Sequence, residues 1–573
     1  RSLRGWLFDL GPSATIQSAP LLEQLEMKLE ENPRYFEDWI QVNLIDNPHR
    51  CLVTVKGDAD HQKRQSEGIA RYANQIKDEL GKKGLKQLAL QNERFARFEQ
   101  EGDTPQALAT VPYLHLSDLP STIKPNTHEH VQLAGQDLFI RSQFCNQIVY
   151  ADIGLNIEDF SERELLLLPF YTRLVQMTGM GELSYVQVAT KLKHLTGDFN
   201  LFVEMGSACN DKDVLILLCR AKMLCEDFEE AMQFIQRLLF EAKVDDIKQI
   251  KQVLNNYKTD FADSITYSAH SYASLCAASV FSPIQYEGEQ LSGLHQWFFL
   301  DSLTEDDLPS LAVEMRALQQ KLNNRKRLIN HLGCDEEIVE SLVPVWERFV
   351  SGFEDNGPII AKNRSYGEVS RGEVHEVQLY RLPSTVSYAA YALRTSPRGS
   401  NEQAAQVLLG QILTGNDLWE VIRGQGGAYG VSANADVMEQ MFVFSTYRDP
   451  RIIGSLSDFK RILAKYATQS IEAKHIENAL ISTVGSELRP LSPSQDSILA
   501  FRRLLYGISD EFRHMRREQL LGMDSEQLNK GAQALLDLAK TEDSYVVLAG
   551  SQLLEAEKVK HPMLDRPAVR LPL

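Results

Sequence analysis

The stretches VYADIGL (149–155) and SYAAYAL (387–393) share the pattern Tyr-Ala-x-x-x-Leu at an offset of 238 residues, Tyr150 against Tyr388. The segments downstream of the two motifs also match in kind. An apolar helical segment comes first, at 162–178 and 401–413, with Thr-Gly at its end, residues 178–179 and 414–415. A second helical pattern comes next, LSYVQVATKLKHLTGDF and LWEVIRGQGGAYG, each closing on a glycine turn before an aromatic residue. Then come β-rich runs, VLILLCRAKML (214–224) and QMFVFSTYRD (440–449), leading into long amphipathic helices, FEEAMQFIQRLLFEA and PRIIGSLSDFKRILAKYA. Asp449 and Pro450 read as N-cap and first residue of the later helix. A chain that repeats its element order in this way builds one supersecondary unit twice, and the mixture of helices and strands makes that unit α+β. The polar stretch EDNGPIIAKNRSYGEVSRGE (354–373) is the joint between the copies.

Ahead of the duplication the pattern changes. The chain is helical in pattern to about residue 32, and CLVTVKGD (51–58) reads as a short strand. From about 60 to 105 it is rich in Lys, Glu, Gln and Arg, with apolar residues at helical spacing in IARYANQIKDEL and LKQLALQNERFARFE. Gly81 and Gly84 break the middle, which predicts a helical hairpin. EGDTPQALATVPYLHLSDLPST (101–122) reads as a linker. A chain of 573 residues exceeds one core. The expected organisation is the tail of a preceding unit over 1–59, a helical-hairpin linker over 60–112, the first copy over 113–355 and the second over 372–573.

Charge and cysteine usage exclude several classes. The 78 acidic side chains outnumber the 60 basic ones, for a net charge of −18, which argues against nucleic acid as a partner. No apolar run reaches the 18 or more residues of a membrane span; ELLLLPF (164–170) is the nearest. Seven cysteines without a CxxC pair imply reduced thiols and a reducing compartment, the cytoplasm or alternatively the mitochondrial matrix. The first residues, RSLRGWLFDLGPS, lack the layout of a signal peptide and read as a helix already under way, as in a piece of a longer polypeptide.

The stretch RGQGGAYG (423–430) is the richest in chemical possibility, with four glycines, an arginine and a tyrosine. A dinucleotide fingerprint needs its glycines after a strand and before a helix. Here they come after a helix and open a strand, spaced Gly424-x-Gly426-Gly427-x-x-Gly430, and no Walker lysine is present. A phosphate cradle is therefore excluded. Glycine lets backbone approach backbone, an arginine can hold a carbonyl or carboxylate, and a tyrosine hydroxyl can donate to a carbonyl gaining negative charge. Arg423 and Tyr429 thus make a candidate peptide clamp, with Gly426, Gly427 and Ala428 as the backbone a substrate could approach. A tight helix-to-strand turn with a packed tyrosine explains the same residues. No G-x-S-x-G elbow occurs, and neither H-E-x-x-H nor H-x-x-E-H occurs among the 13 histidines. In THEHVQ (127–132), His128 and His130 share one face of a possible strand and could hold zinc with a third ligand; two exposed histidines near a linker is the competing reading.

LWEVIRGQGGAYG followed by FVFSTYRDP resembles the C-terminal half of the presequence-protease branch (subfamily C) of the pitrilysin/insulinase zinc peptidases. RSLRGWLFDLGP resembles the end of that family's second domain, TPQALATVPYLHLSDLP its connector, and LISTVGSELRPLSP a helix of its last domain, in order over essentially the whole chain. The resemblance implies four related α+β units, two per half, closing around a peptide chamber, with the duplication here as units three and four. It places the zinc ligands, an H-x-x-E-H with a distant glutamate, in unit one, so that zinc belongs to the full-length enzyme and no ligand lies in this chain. The matching helix LLPFYTRLVQM carries none. The implied partners are the N-terminal catalytic half of the same polypeptide and unfolded oligopeptides of the targeting-peptide kind, with no nucleic acid and no membrane. Arg423 and Tyr429 match the arginine and tyrosine that reach the substrate, and TYRDP (446–450) is assigned strand end plus helix cap. The expectation is a substrate-binding half, inert alone for want of H-x-x-E-H. The alternative is a non-catalytic structural or substrate-presenting homologue that pairs with a zinc-bearing chain.

Overall fold

The polar stretch after residue 60 is helical, as its spacing predicts: α1 (His61–Gln100) is interrupted at Gly81, where φ is 57° and ψ −176°. The computed structural model describes residues 2–11, 13, 15–58, 60–100, 103–362 and 377–573. It divides the chain into two units, Arg1–Pro112 and Tyr113–Leu573. In the first, residues 51–58 do not form the expected strand. A strand needs a partner for its N–H and C=O groups, and among the described residues of this unit there is none; Val53 and Val55 stand 74% and 88% exposed. Nor does the unit assemble an apolar core. Among the described residues, the buried hydrophobic side chains begin at Leu133.

The second unit contains two six-stranded mixed sheets, and the duplication is visible in their order. The first runs β1 (Glu129–Leu133), β2 (Gln136–Ser142), β6 (Leu328–Cys334), β3 (Ile148–Asn156), β5 (Asp213–Leu224), β4 (Asp198–Ser207). The second runs β12 (Val569–Arg570), β7 (Val377–Leu382), β11 (Asp543–Gly550), β8 (Ser387–Arg394), β10 (Met441–Tyr447), β9 (Gly430–Asp436). Apart from the outermost strand the two orders correspond one to one, including the parallel pairs β2/β6 and β7/β11. The fold is α+β. The predicted joint at 354–373, and the start of the second copy at 372, fall partly on residues 363–376, outside the described residues.

Each sheet buries one face under helices of its own copy. The first uses α2 (Glu162–Gln176) and α3 (Phe228–Glu241), with Val149, Ala151, Ile153 and Leu155 of β3 pointing into a common core with them. After α3 comes α4 (Ile247–Ala278), kinked at Ser268. The second sheet uses α5 (Asn401–Gly415), α6 (Ile453–Thr468) and α8 (Ser525–Leu538); α7 (Pro493–Leu505) lies between α6 and α8 in the chain. Helix α6 begins at Ile453, so Asp449 is not its N-cap. The mutual backbone bonds of Ser387 and Asp449 (2.8 and 2.9 Å) hold that aspartate back against the sheet, where it accepts from the Arg451 N–H and the Ser455 hydroxyl.

The remaining faces are covered by exchange. Strand side chains alternate, so β8 sends Ala389, Tyr391 and Leu393 to its own copy's core but Tyr388, Ala390 and Ala392 to the core built around α4 of the first copy. Helix α4 lies across β8, β10 and β11. In return α7 crosses the open face of the first sheet. Phe501 packs with Ile216 and Leu218, and stacks on His331 at 4.8 Å. Around that centre Arg141 donates twice to Asp496 (3.1 and 3.0 Å), and Arg220 donates to the Ser494 carbonyl (2.6 Å). Arg502 clamps Glu204 through two bonds of 3.0 and 2.7 Å, with the Tyr506 hydroxyl a third donor at 3.0 Å. Replacing Phe501 by Ala is expected to cost about 3–5 kcal/mol and to loosen the coupling of the two copies. Guanidinium unfolding of Phe501→Ala should then show separate transitions for the two sheets where the parent shows one; a single transition with an unchanged midpoint contradicts this.

Candidate substrate-contact site

Three buried anchors shape the RGQGGAYG loop. Leu418 and Ile422 are four apart and face the second core, and Ala428, 3% exposed, returns to the same core. Between them the chain runs as a π-helical stretch, Trp419–Gln425, where the first copy has an α-helix, Tyr185–Leu195. Such turns concentrate at functional sites, and helical periodicity alone does not announce them. The Ala428 N–H donates to the Ile422 carbonyl and the Gly427 N–H to that of Arg423, both at 3.1 Å, closing the turn. Gly427 has φ +82°, which a side chain disfavours. A Cβ at Gly426 would lie 2.3 Å from Arg451 Nη2 and 2.5 Å from the Ile422 carbonyl oxygen. Gly426 and Gly427 are therefore required by the geometry of the turn.

Arg423 and Tyr429 each come directly after a buried anchor and point outward. Tyr429 is 66% and Trp419 52% exposed. The Arg423 guanidinium carbon lies 5.7 Å from the Trp419 ring centre and 5.8 Å from that of Tyr429, so it sits between two aromatic rings. Among the described residues no carboxylate pairs with it. The Tyr429 N–H donates to the carbonyls of Tyr447 (3.1 Å) and Arg448 (3.2 Å), and its ring meets Tyr447 edge to face at 5.8 Å. Tyr447 in turn touches Tyr388 (5.7 Å) and His270 of α4 (4.9 Å). The structure thus brings Arg423 and Tyr429 together on one surface. It leaves the Ala428 side chain inside and presents Gly426 and Gly427 as backbone. Trp419, Tyr447 and Tyr388 were not read from the sequence as part of this surface; register places Tyr447 here, since it pairs with Gly430 across β10 and β9.

The two candidate histidine ligands separate. His130 Nε2 bonds Asp137 Oδ1 at 2.8 Å. The His128 ring lies edge-on to His331 at 5.3 Å, and burial, then the neighbouring His331, pushes its pKa down to about 4. His331 donates from Nδ1 to the buried Asp152 (3.0 Å). Among the described residues no group of three His, Cys, Asp or Glu side chains could hold a metal ion, so the residues present do not fit a zinc site. No helix among them is long and apolar enough to cross a membrane.

Known proteins share this architecture. A structure from Enterococcus faecalis superposes with a TM-score of 0.56 at 16% identity, covering 74% of this chain and 99% of its own. A peptidase M16 inactive domain from Pseudomonas fluorescens gives 0.54 at 14%, covering 74% and 98%. In sequence, residues 55–303 match the family of domains associated with subfamily C of the M16 peptidases, and residues 378–552 match the PreP C-terminal domain. Presequence protease 1 (chloroplastic/mitochondrial) of Arabidopsis thaliana is 22% identical over 97% of this chain and 52% of its own length. The mitochondrial presequence protease of Danio rerio is 23% identical over 91% and 53%. The fold is that of M16 peptidase domains. By the two matches in tandem, the chain belongs to the presequence-protease-like subfamily C of those peptidases, over the part that corresponds to their C-terminal half. It spans about half the length of the curated relatives it matches.

Gly426→Ala must open the turn and is expected to cost about 1–3 kcal/mol. Gly424→Ala, whose added carbon meets nothing closer than 3.7 Å, should stay within about 0.5 kcal/mol of the parent. Thermal unfolding of the two variants tests this, and equal losses would contradict it.

Proposed function

We propose that this chain is the substrate-contacting half of a zinc metalloendopeptidase that degrades unfolded oligopeptides in a closed chamber, with its repeats, 113–355 and 372–573, as the third and fourth units. The observation that carries the reading is the Arg423–Tyr429 pair: adjacent, exposed, without a carboxylate partner among the described residues, and held by a turn anchored on the second core and closed against Arg451 and β10. Residues 1–59 and 60–112 are then the end of the second unit and the connector. In this reading the hydrolytic zinc centre belongs to a further segment; the chain spans about half the length of the curated relatives it matches.

Within that reading the chain contributes two things. The Tyr429 hydroxyl donates a hydrogen bond to the scissile carbonyl oxygen as negative charge develops there. The Arg423 guanidinium, beside the rings of Trp419 and Tyr429, grips a neighbouring peptide carbonyl. Gly426 and Gly427 let the substrate backbone approach, and Ala428 offers only its main chain. All seven cysteines are free thiols, which supports a reducing compartment, and the cytoplasm is the one proposed.

The test is hydrolysis of a quenched, unstructured peptide of about 20 residues. The chain alone should be silent, and joined to a zinc-bearing N-terminal half it should cut. Tyr429→Phe should then lower kcat by about 10²–10³, while Arg423→Ala should act mainly on KM. Unchanged turnover in Tyr429→Phe would reduce the loop to a turn and leave this half as chamber wall.

A further inference from the structure

A cleft of about 800 Å³ lies beside the loop, between the kink of α4 and the turn from β7 to β8. Tyr267, Ser384, Thr385, Tyr388, Arg448 and Ser551 are among the residues that line it. Tyr447 links it to the Arg423–Tyr429 surface: its ring meets that of Tyr429 and also that of Tyr388, which lines the cleft. Arg448 extends over that same ring, its guanidinium carbon 5.4 Å from the centre.

Three features set Arg448 apart from an ordinary surface arginine. Its backbone is left-handed, φ +50°, a conformation unusual for a residue with a side chain. The Tyr429 N–H donates to its carbonyl at 3.2 Å, so the residue that positions the clamp also faces the cleft. Among the described residues none that lines the cleft is acidic, in a chain that carries 78 acidic side chains. Among the described residues Arg448 has no carboxylate partner, and Asp449 beside it is buried and engaged by the Arg451 N–H and the Ser455 hydroxyl. Tyr447, and next the Tyr388 hydroxyl, push the guanidinium pKa upward, so its charge persists at any working pH.

An exposed guanidinium beside hydroxyls and aromatic rings, with no carboxylate partner among the described residues, can recognise a carboxylate. We propose that Arg448 makes this cleft a carboxylate-binding subsite, which seats either the C-terminal carboxylate or an Asp or Glu side chain of the peptide held by Arg423 and Tyr429. This rests on the peptide-contact reading above.

The experiment measures binding of fluorescent, unstructured peptides to the 573-residue chain by anisotropy. Four versions of one sequence are compared: free C-terminus without internal acids, its C-terminal amide, the amide with one internal Glu, and the amide with Gln at that place. Loss of one charge-assisted bond corresponds to about tenfold in affinity. A tenfold gap between free acid and amide assigns the subsite to the C-terminus, and one between Glu and Gln assigns it to a side chain. Either gap should vanish in Arg448→Gln and persist in part in Arg448→Lys. Equal binding of all four peptides, or a preference that survives Arg448→Gln, overturns the subsite while leaving the clamp intact. If none of the peptides binds, the clamp and the subsite fall together.

Discussion

The two copies of the repeat stand on an exchange of helices. Each six-stranded sheet has two faces to bury, and the helices of its own copy cover one. The other is closed by the partner copy, α4 over the second sheet and α7 over the first. The two exchanges differ in chemistry. Against α4 the second sheet presents small apolar residues, Ala390 and Ala392, flanked by Tyr388, so close approach and area burial dominate. Against α7 the first sheet presents Asp152, His331, Arg220, Arg141 and Glu204 around a small apolar centre at Phe501. Such buried charges stabilise only when each has its partner, so this contact specifies one docking geometry more than it adds adhesion.

The contact surface inherits that rigidity. Tyr447 ends β10, receives His270 from α4 on one side and Tyr429 on the other, and so ties the helix exchange directly to the loop. Arg423 is steadied by two rings instead of an ion pair, which keeps its donors free for a ligand. A surface built on strand ends and a glycine-locked turn has its geometry set in advance, which in the proposed reading is the condition under which hydrogen-bond donors contribute most to a transition state.

Much of this was legible in the sequence because it was written twice. The paired motifs at Tyr150 and Tyr388 foretold corresponding strands, and those are β3 and β8, third from one edge in both sheets. The unusual composition of 423–430 marked the loop, and polarity with helical spacing marked α1. What stayed hidden depends on partners distant in sequence. A β-branched run such as 51–58 looks like a strand but requires a neighbour to pair with. Asp449 and Pro450 have the chemistry of a helix start, yet the bridge to Ser387 claims the aspartate first. The amphipathic pattern of α7 shows that it buries a face, not which sheet it buries it against. TYRDP read as structure alone, because only the register of β9 on β10 brings Tyr447 and Arg448 beside Tyr429.

The central claim is that a peptide lies against Arg423 and Tyr429, and photo-crosslinking tests it most directly. A benzophenone-bearing phenylalanine analogue would replace Tyr429 in one preparation and Val559, an exposed residue outside the surface, in another. Each would be irradiated with an unstructured peptide. The account predicts a covalent adduct from position 429 that unlabelled peptide competes away, and none from position 559. Equal labelling at both positions, or none at 429, would contradict it.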